Sequence, residues 1–149
     1  MGLFAIVISL AYACDKFPEN AAVSVQGGVP MVVFRACSQN EALREIVVLE
    51  WDGQGQGDDS YEQVWEATIR QGYEQENLWP LSSDDQRYKR VSGSADMLAR
   101  SETGFRVIVY TSERRIVTSF SPETLAEGEV RFLGKKMTID EYLRSNKIC

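Results

Sequence analysis

Residues 105–120 read FRVIVYTSERRIVTSF, and this stretch decides the fold. Residues 105–110 (FRVIVY) and 115–120 (RIVTSF) are short runs rich in β-branched and aromatic residues, the composition of strands. Between them stand four polar residues, Thr111-Ser112-Glu113-Arg114, a connection of hairpin length. Working outward, the same signal recurs. Val23-Ser24-Val25-Gln26 alternates and stops at Gly27-Gly28. Residues 30–37 (PMVVFRAC) form a second strand before the turn-prone Ser38-Gln39-Asn40, and residues 43–51 (LREIVVLEW) a third. Near the other end, residues 128–133 (GEVRFL) place Val130 and Phe132 on one face.

Residues 61–73 fit two periods. Tyr61, Val64, Trp65, Ile69 and Tyr73 suit a helix, with Ser60 and Gln63 as a capping box and Gly72 as a stop. Tyr61, Gln63, Trp65, Ala67 and Ile69 suit a strand with Glu62, Glu66 and Arg70 toward water. Because the stretch follows a strong strand across a glycine-rich turn, strand is the preferred reading and helix its rival. Helices are otherwise minor. Thr138 and Glu141 have capping-box spacing ahead of Ile139, Tyr142 and Leu143, predicting a short helix that ends near Asn146. Residues 121–125 predict a single turn with Pro122 at its start, and residues 94–100 a further helical piece. The expected fold is all-β, a small sandwich or open barrel of about six to eight strands with a short C-terminal helix.

The chain has 149 residues, enough for one core, and its 44% apolar and 26% charged content excludes a disordered or collagen-like protein. Its net charge of -6 is uneven. Residues 41–85 hold twelve acids against Arg44 and Arg70, whereas residues 86–149 hold twelve bases against eight acids. An acidic middle argues against nucleic acid, and points to a solvated face or to a surface that steers a cationic partner. Histidine is absent altogether. That removes Ser-His-Asp and Cys-His catalysis and histidine-ligated zinc, so any enzyme here relies on carboxylates, Lys, Tyr, Ser or Cys.

Residues 2–13 (GLFAIVISLAYA) form an uncharged apolar run of signal-peptide length, too short for an ordinary membrane crossing. Its end, Leu10-Ala11-Tyr12-Ala13-Cys14, resembles the lipobox of bacterial lipoproteins. The resemblance implies lipidation of Cys14, removal of residues 1–13, a tether over residues 14–22 and a single β-rich domain over residues 23–149. It also implies a lipid-anchored location on the bacterial cell envelope, with membrane contact through that anchor only. Two alternatives stay open: a secreted, soluble protein cleaved at the A-x-A site ending at Ala13, or a cytosolic interaction domain in which residues 2–13 are a buried first strand with three free thiols. If Cys14 is lipidated, Cys37 and Cys149 are left to pair, closing a loop worth roughly 4 to 5 kcal/mol at most. Otherwise Cys37 is a buried thiol and Cys149 a frayed end.

Candidate sites are few. Residues 51–65 (WDGQGQGDDSYEQVW) carry glycines and acids, but neutral Gln54, Gln56 and Gln63 occupy positions where a calcium loop needs carboxylates or strong oxygen ligands. As a phosphate cradle the stretch lacks a following lysine and presents Asp58 and Asp59 to the anion. It reads as an acidic loop, and neither cofactor nor metal is expected. Asp58-Asp59 and Asp84-Asp85 are neighbours that project apart, which suits a solvated face better than paired catalysis. Trp79, in the loop-like Asn77-Leu78-Trp79-Pro80-Leu81, is the candidate exposed aromatic of a partner-binding surface that Asp58, Asp59, Asp84 and Asp85 would complete. The expected function is a non-enzymatic binding or structural module with a protein partner. One sharper version is an inhibitor or immunity protein that neutralises a cationic enzyme. A carboxylate-based hydrolase is the alternative from another class.

Overall fold

The computed structural model describes residues 20–55, 57–94, 103–145 and 149, with Asp58 described by its backbone alone. Its strands are β1 (Ala21–Gln26), β2 (Val29–Phe34), β3 (Leu43–Trp51), β4 (Tyr61–Ile69), β5 (Leu78–Pro80), β6 (Tyr88–Gly93), β7 (Phe105–Thr111), β8 (Arg115–Phe120), β9 (Glu129–Phe132) and β10 (Lys135–Thr138). A helix, α1 (Ile139–Arg144), follows β10 directly. The strands form a five-stranded sheet ordered β6-β4-β3-β7-β8, a three-stranded sheet ordered β1-β2-β5 and the β9–β10 hairpin. Every strand pair is antiparallel. The fold is a β-sandwich, as expected, with more strands than expected.

The three-stranded sheet is the middle layer. Ala21, Val23, Val32 and Phe34 face the five-stranded sheet and pack with Leu43, Ile46, Val48, Trp65, Val107, Val109 and Phe120. Ala22 and Val33 face the other way, onto Val130, Phe132, Ile139 and Tyr142 of the hairpin and helix. A strand buried on both faces has no polar face to show, which is why residues 31–34 read as an unbroken apolar run. Two glycines close β1 onto β2: Gly27 and Gly28 both hold positive φ, as a two-residue connection of this twist requires.

Residues 61–69 are a strand, and the register explains their mixed period. Val48 pairs with Trp65 and Leu49 with Gln63, so Val64 is an extra residue, a β-bulge. Val64 and Trp65 consequently both pack on the core, mimicking helical spacing. Opposite the bulge stands Gly93 at φ +91; a Cβ there would lie 2.1 Å from the Val64 carbonyl oxygen.

Several boundaries differ from expectation. Asn20 is buried and Ala21 and Ala22 belong to β1, so the domain begins before residue 23. The second strand stops at Phe34 and the last helix at Arg144. Strands β5, β6 and β10 were not expected; they are short, and β6 carries Lys89 and Arg90 on a sheet edge. The turn at 121–125 forms as Pro122–Thr124, and Thr138 Oγ1 accepts the Glu141 amide at 3.1 Å as its spacing predicts. The helical piece expected at 94–100 lies, beyond Ser94, outside the described residues.

Candidate functional site

The structure corrects one candidate outright. Trp79 is 0% exposed, because pairing with Val32 makes it the central residue of β5 and turns its indole into the core. There its Nε1 donates to the Glu76 carbonyl at 2.8 Å, its ring packs on Tyr88 at 5.5 Å, and the Arg87 guanidinium covers it at 4.4 Å. The free edge of β5 is likewise occupied: the Leu78 carbonyl accepts Arg87 Nη2 at 2.8 Å and the Pro80 carbonyl accepts the Tyr88 hydroxyl. Pro80 brings no N–H of its own. What looked like an open loop around a binding aromatic is a sealed strand.

The four aspartates do not converge. Asp58 and Asp59 form the 3-10 turn ahead of β4, whereas Asp84 and Asp85 lie beyond its far end, before β6. Nine residues of strand separate the pairs by about 30 Å. Asp59 and Asp84 are exposed, while Asp85 is engaged by Arg87, whose Nε and Nη2 donate at 2.9 and 2.8 Å. Those bonds, led by the guanidinium, hold the Asp85 carboxyl below the usual range. Asp52 serves its own loop by accepting the Gln54 amide at 2.7 Å.

The acids that do meet lie on the β3–β4 ladder. Glu45 pairs with Thr68 and Val47 with Glu66, which brings the two carboxyls diagonally together on the outer face. Burial first, and then the charge and hydrogen bond of Glu66, raise the Glu45 carboxyl above its ordinary pKa. Further along, on the opposite face of the sheet from Glu45 and Glu66, Glu50 and Glu62 stand directly across from each other. Like charges so placed destabilise a sheet. Beyond the second pair, on the last rung of the ladder, stand Trp51 and Tyr61, with Arg106 stacked 4.1 Å over the Tyr61 ring. Alternation within residues 61–69 had already turned Glu62 and Glu66 to water; their like-charged partners on β3 could be seen only once the register was known. A glycosidic hydrolysis needs acids on opposite sides of a bond. Glu45 and Glu66 sit side by side on one sheet face, an arrangement suited to sharing a proton or a cationic partner.

A second cluster is built around a buried carboxylate. Glu41 is 0% exposed, and its Oε1 accepts from Asn20 Nδ2 at 2.9 Å and the Cys37 amide at 2.8 Å. Its Oε2 accepts Thr111 Oγ1 at 3.0 Å and Arg114 Nε at 2.9 Å. Burial would raise this carboxyl, but the bonds from Arg114, the Cys37 amide and Thr111 outweigh it and hold the pKa below the ordinary value. Glu41 thus fastens the start of β1 and the β7–β8 turn to the neighbourhood of Cys37. Within an acidic segment it was indistinguishable from surface acids, apart from its S-x-x-E spacing from Ser38, whose Oγ accepts the Glu41 amide at 3.1 Å.

Cys37 and Cys149 are disulfide-bonded, with Cα atoms 5.4 Å apart across a sequence separation of 112. Cys14 lies outside the described residues. Among the described residues no group of three or more His, Cys, Asp or Glu is placed to hold a metal, and no helix is long and apolar enough to cross a membrane. A groove of about 510 Å³ runs between β5 and the start of α1, past Gln26, Asn77, Leu78, Asp140 and Leu143. No family model matches the chain, and no curated protein is significantly similar to it.

Proposed function

We propose that the protein is an exported, lipid-tethered, non-enzymatic binding module of the bacterial envelope whose acidic face receives a cationic protein. The observation that carries the reading is the Cys37–Cys149 bridge. It uses two of the three cysteines and leaves Cys14, at the end of the signal-like run, as the one with a separate fate. Structural disulfides persist in oxidising compartments. The lipobox-like residues 10–14 add the tether. The partner class is supported by Glu45 and Glu66 on the outer face of β3 and β4, since a cation set between them removes a repulsion the free protein carries.

The sharper version, an inhibitor or immunity protein acting on a cationic enzyme, follows from the same outer-face pair. Its association should slow markedly as salt rises, because steering by exposed charges is screened within about 8–10 Å at physiological ionic strength. The deciding experiment is the intact mass of the protein from its host, with and without reduction and alkylation. A chain that starts at Cys14, carries lipid mass and gains two alkylated thiols only on reduction is expected. A full-length chain whose Cys14 alkylates without reduction would overturn the tether and the location together.

A further inference from the structure

We infer that the tip of the β9–β10 hairpin is a contact element for an anionic lipid surface, with Leu133 entering the interface and Arg131, Lys135 and Lys136 meeting lipid phosphates. Three features of the hairpin carry this. Leu133 is 69% exposed, more than any other large apolar residue described. It also holds φ +52 in the two-residue connection it makes with Gly134, where glycine or asparagine is the unstrained choice. Directly behind it, Arg131 and Lys136 face each other in register, a like-charged pair that weakens a two-stranded ribbon. Lys135 flanks the turn. All three basic side chains are exposed, and none is ion-paired among the described residues.

Each feature is unfavourable for the isolated hairpin, and an anionic bilayer relieves two of them, the exposed leucine and the opposed cations. The leucine gains an apolar environment, and the opposed cations share phosphates in place of repelling. The chain as a whole is acidic, so attraction to such a surface has to be local.

The direction of the hairpin fits. Gly128, at its base, donates to the Val25 carbonyl near the far end of β1 and accepts the Ile139 amide where α1 begins. Phe132, next to the tip, packs edge-on against Tyr142, about one helical turn further along, at 5.3 Å. The hairpin therefore points the way α1 runs, toward Ser145, whose carbonyl binds Arg35 at 2.8 Å. The Arg35 carbonyl in turn accepts Asn20 Nδ2 at 2.8 Å, so the tip faces the end of the domain where residue 20 enters it. In this one respect the inference rests on the tethered reading: a lipid on Cys14 would hold that same end against the bilayer.

The test uses the full chain carrying Cys14→Ser, which takes no lipid, in co-sedimentation with phosphatidylcholine vesicles made with and without phosphatidylglycerol. Binding should require phosphatidylglycerol and weaken with salt. Lys135→Glu with Lys136→Glu should lower affinity by at least about fivefold per residue, the worth of one charge near such a surface. Leu133→Asn should lower it about tenfold, the scale of one leucine's transfer from water, while raising the thermal midpoint because asparagine accepts the left-handed backbone. A merely structural leucine would show no such split. Equal binding by wild type and both variants overturns the inference, as does binding that ignores phosphatidylglycerol. Wild-type binding abolished by inorganic phosphate at matched ionic strength overturns it too, by assigning the basic pair to the free ion. Since no lipidated protein is used, failure here leaves the tether untouched, and the intact mass tests the tether alone.

Discussion

Glu41→Gln tests the buried hub most directly. Two carboxylate oxygens accept from Asn20, Cys37, Thr111 and both Nε and Nη2 of Arg114. Arg114 Nη2 reaches Oε1 and Nε reaches Oε2, so whichever way the new amide turns, its NH2 group faces an Arg114 N–H. Removing one partner of a buried ion pair costs about 3–5 kcal/mol. Arg114 is 29% exposed and can turn partly to water, which places this case at the lower end, about 3 kcal/mol. Against a total stability of about 5–15 kcal/mol the loss is large. With a urea dependence of about 2 kcal/mol per molar, the unfolding midpoint should fall by about 1.5 M at neutral pH. The pH dependence has a definite sign. The folded carboxyl is held below its usual pKa, so its contribution is complete above the unfolded value and is lost as pH falls through the folded one. The gap between wild type and variant should therefore narrow in acid. A midpoint shift under about 0.5 M, or a gap that pH leaves unchanged, would refute the assignment of Glu41 as a charged hub.

Gly93→Ala should destabilise by more than about 2 kcal/mol, because it combines φ +91 with a Cβ driven into the Val64 carbonyl; a urea midpoint equal to wild type would show that the bulge is not fixed. Glu45 carries the opposite pH sign from Glu41. Its folded pKa is raised, so the associated stability is present in acid and lost as pH rises through that value. Glu45→Gln should accordingly raise the thermal midpoint at neutral pH and flatten the gain that wild type shows on mild acidification, before the loss tied to Glu41 sets in. A lower neutral midpoint for the variant would mean that Glu45 and Glu66 do not repel.

The β7–β8 hairpin was legible because two runs rich in β-branched and aromatic residues flank four polar residues, a composition that needs no alternation to show. The double-faced burial of β2 erased any alternation but left an apolar run that still read as a strand. β5 was lost for a different reason. Three residues carry no period, and Pro80 pointed to a loop, whereas the strand is held from outside by Val32 and by the side chains of Arg87 and Tyr88. The pairing of Cys37 with Cys149 followed from counting cysteines once Cys14 was set apart. The meeting of Glu45 and Glu66 could not be read in the same way, since they become neighbours only through the register of β3 with β4. Local charge density marked the acidic segment but carried no information about which carboxyls the sheet brings together.

The span of the disulfide also sets a clock. Cys149 follows Cys37 by 112 positions, so at about 5–20 residues per second of synthesis its thiol emerges roughly 6–22 s later. Throughout that interval a nascent Cys37 has only Cys14 as a possible intramolecular partner. An oxidant acting in this window forms the short, wrong loop; under the proposed lipid tether, acylation of Cys14 would remove that trap before the correct partner arrives.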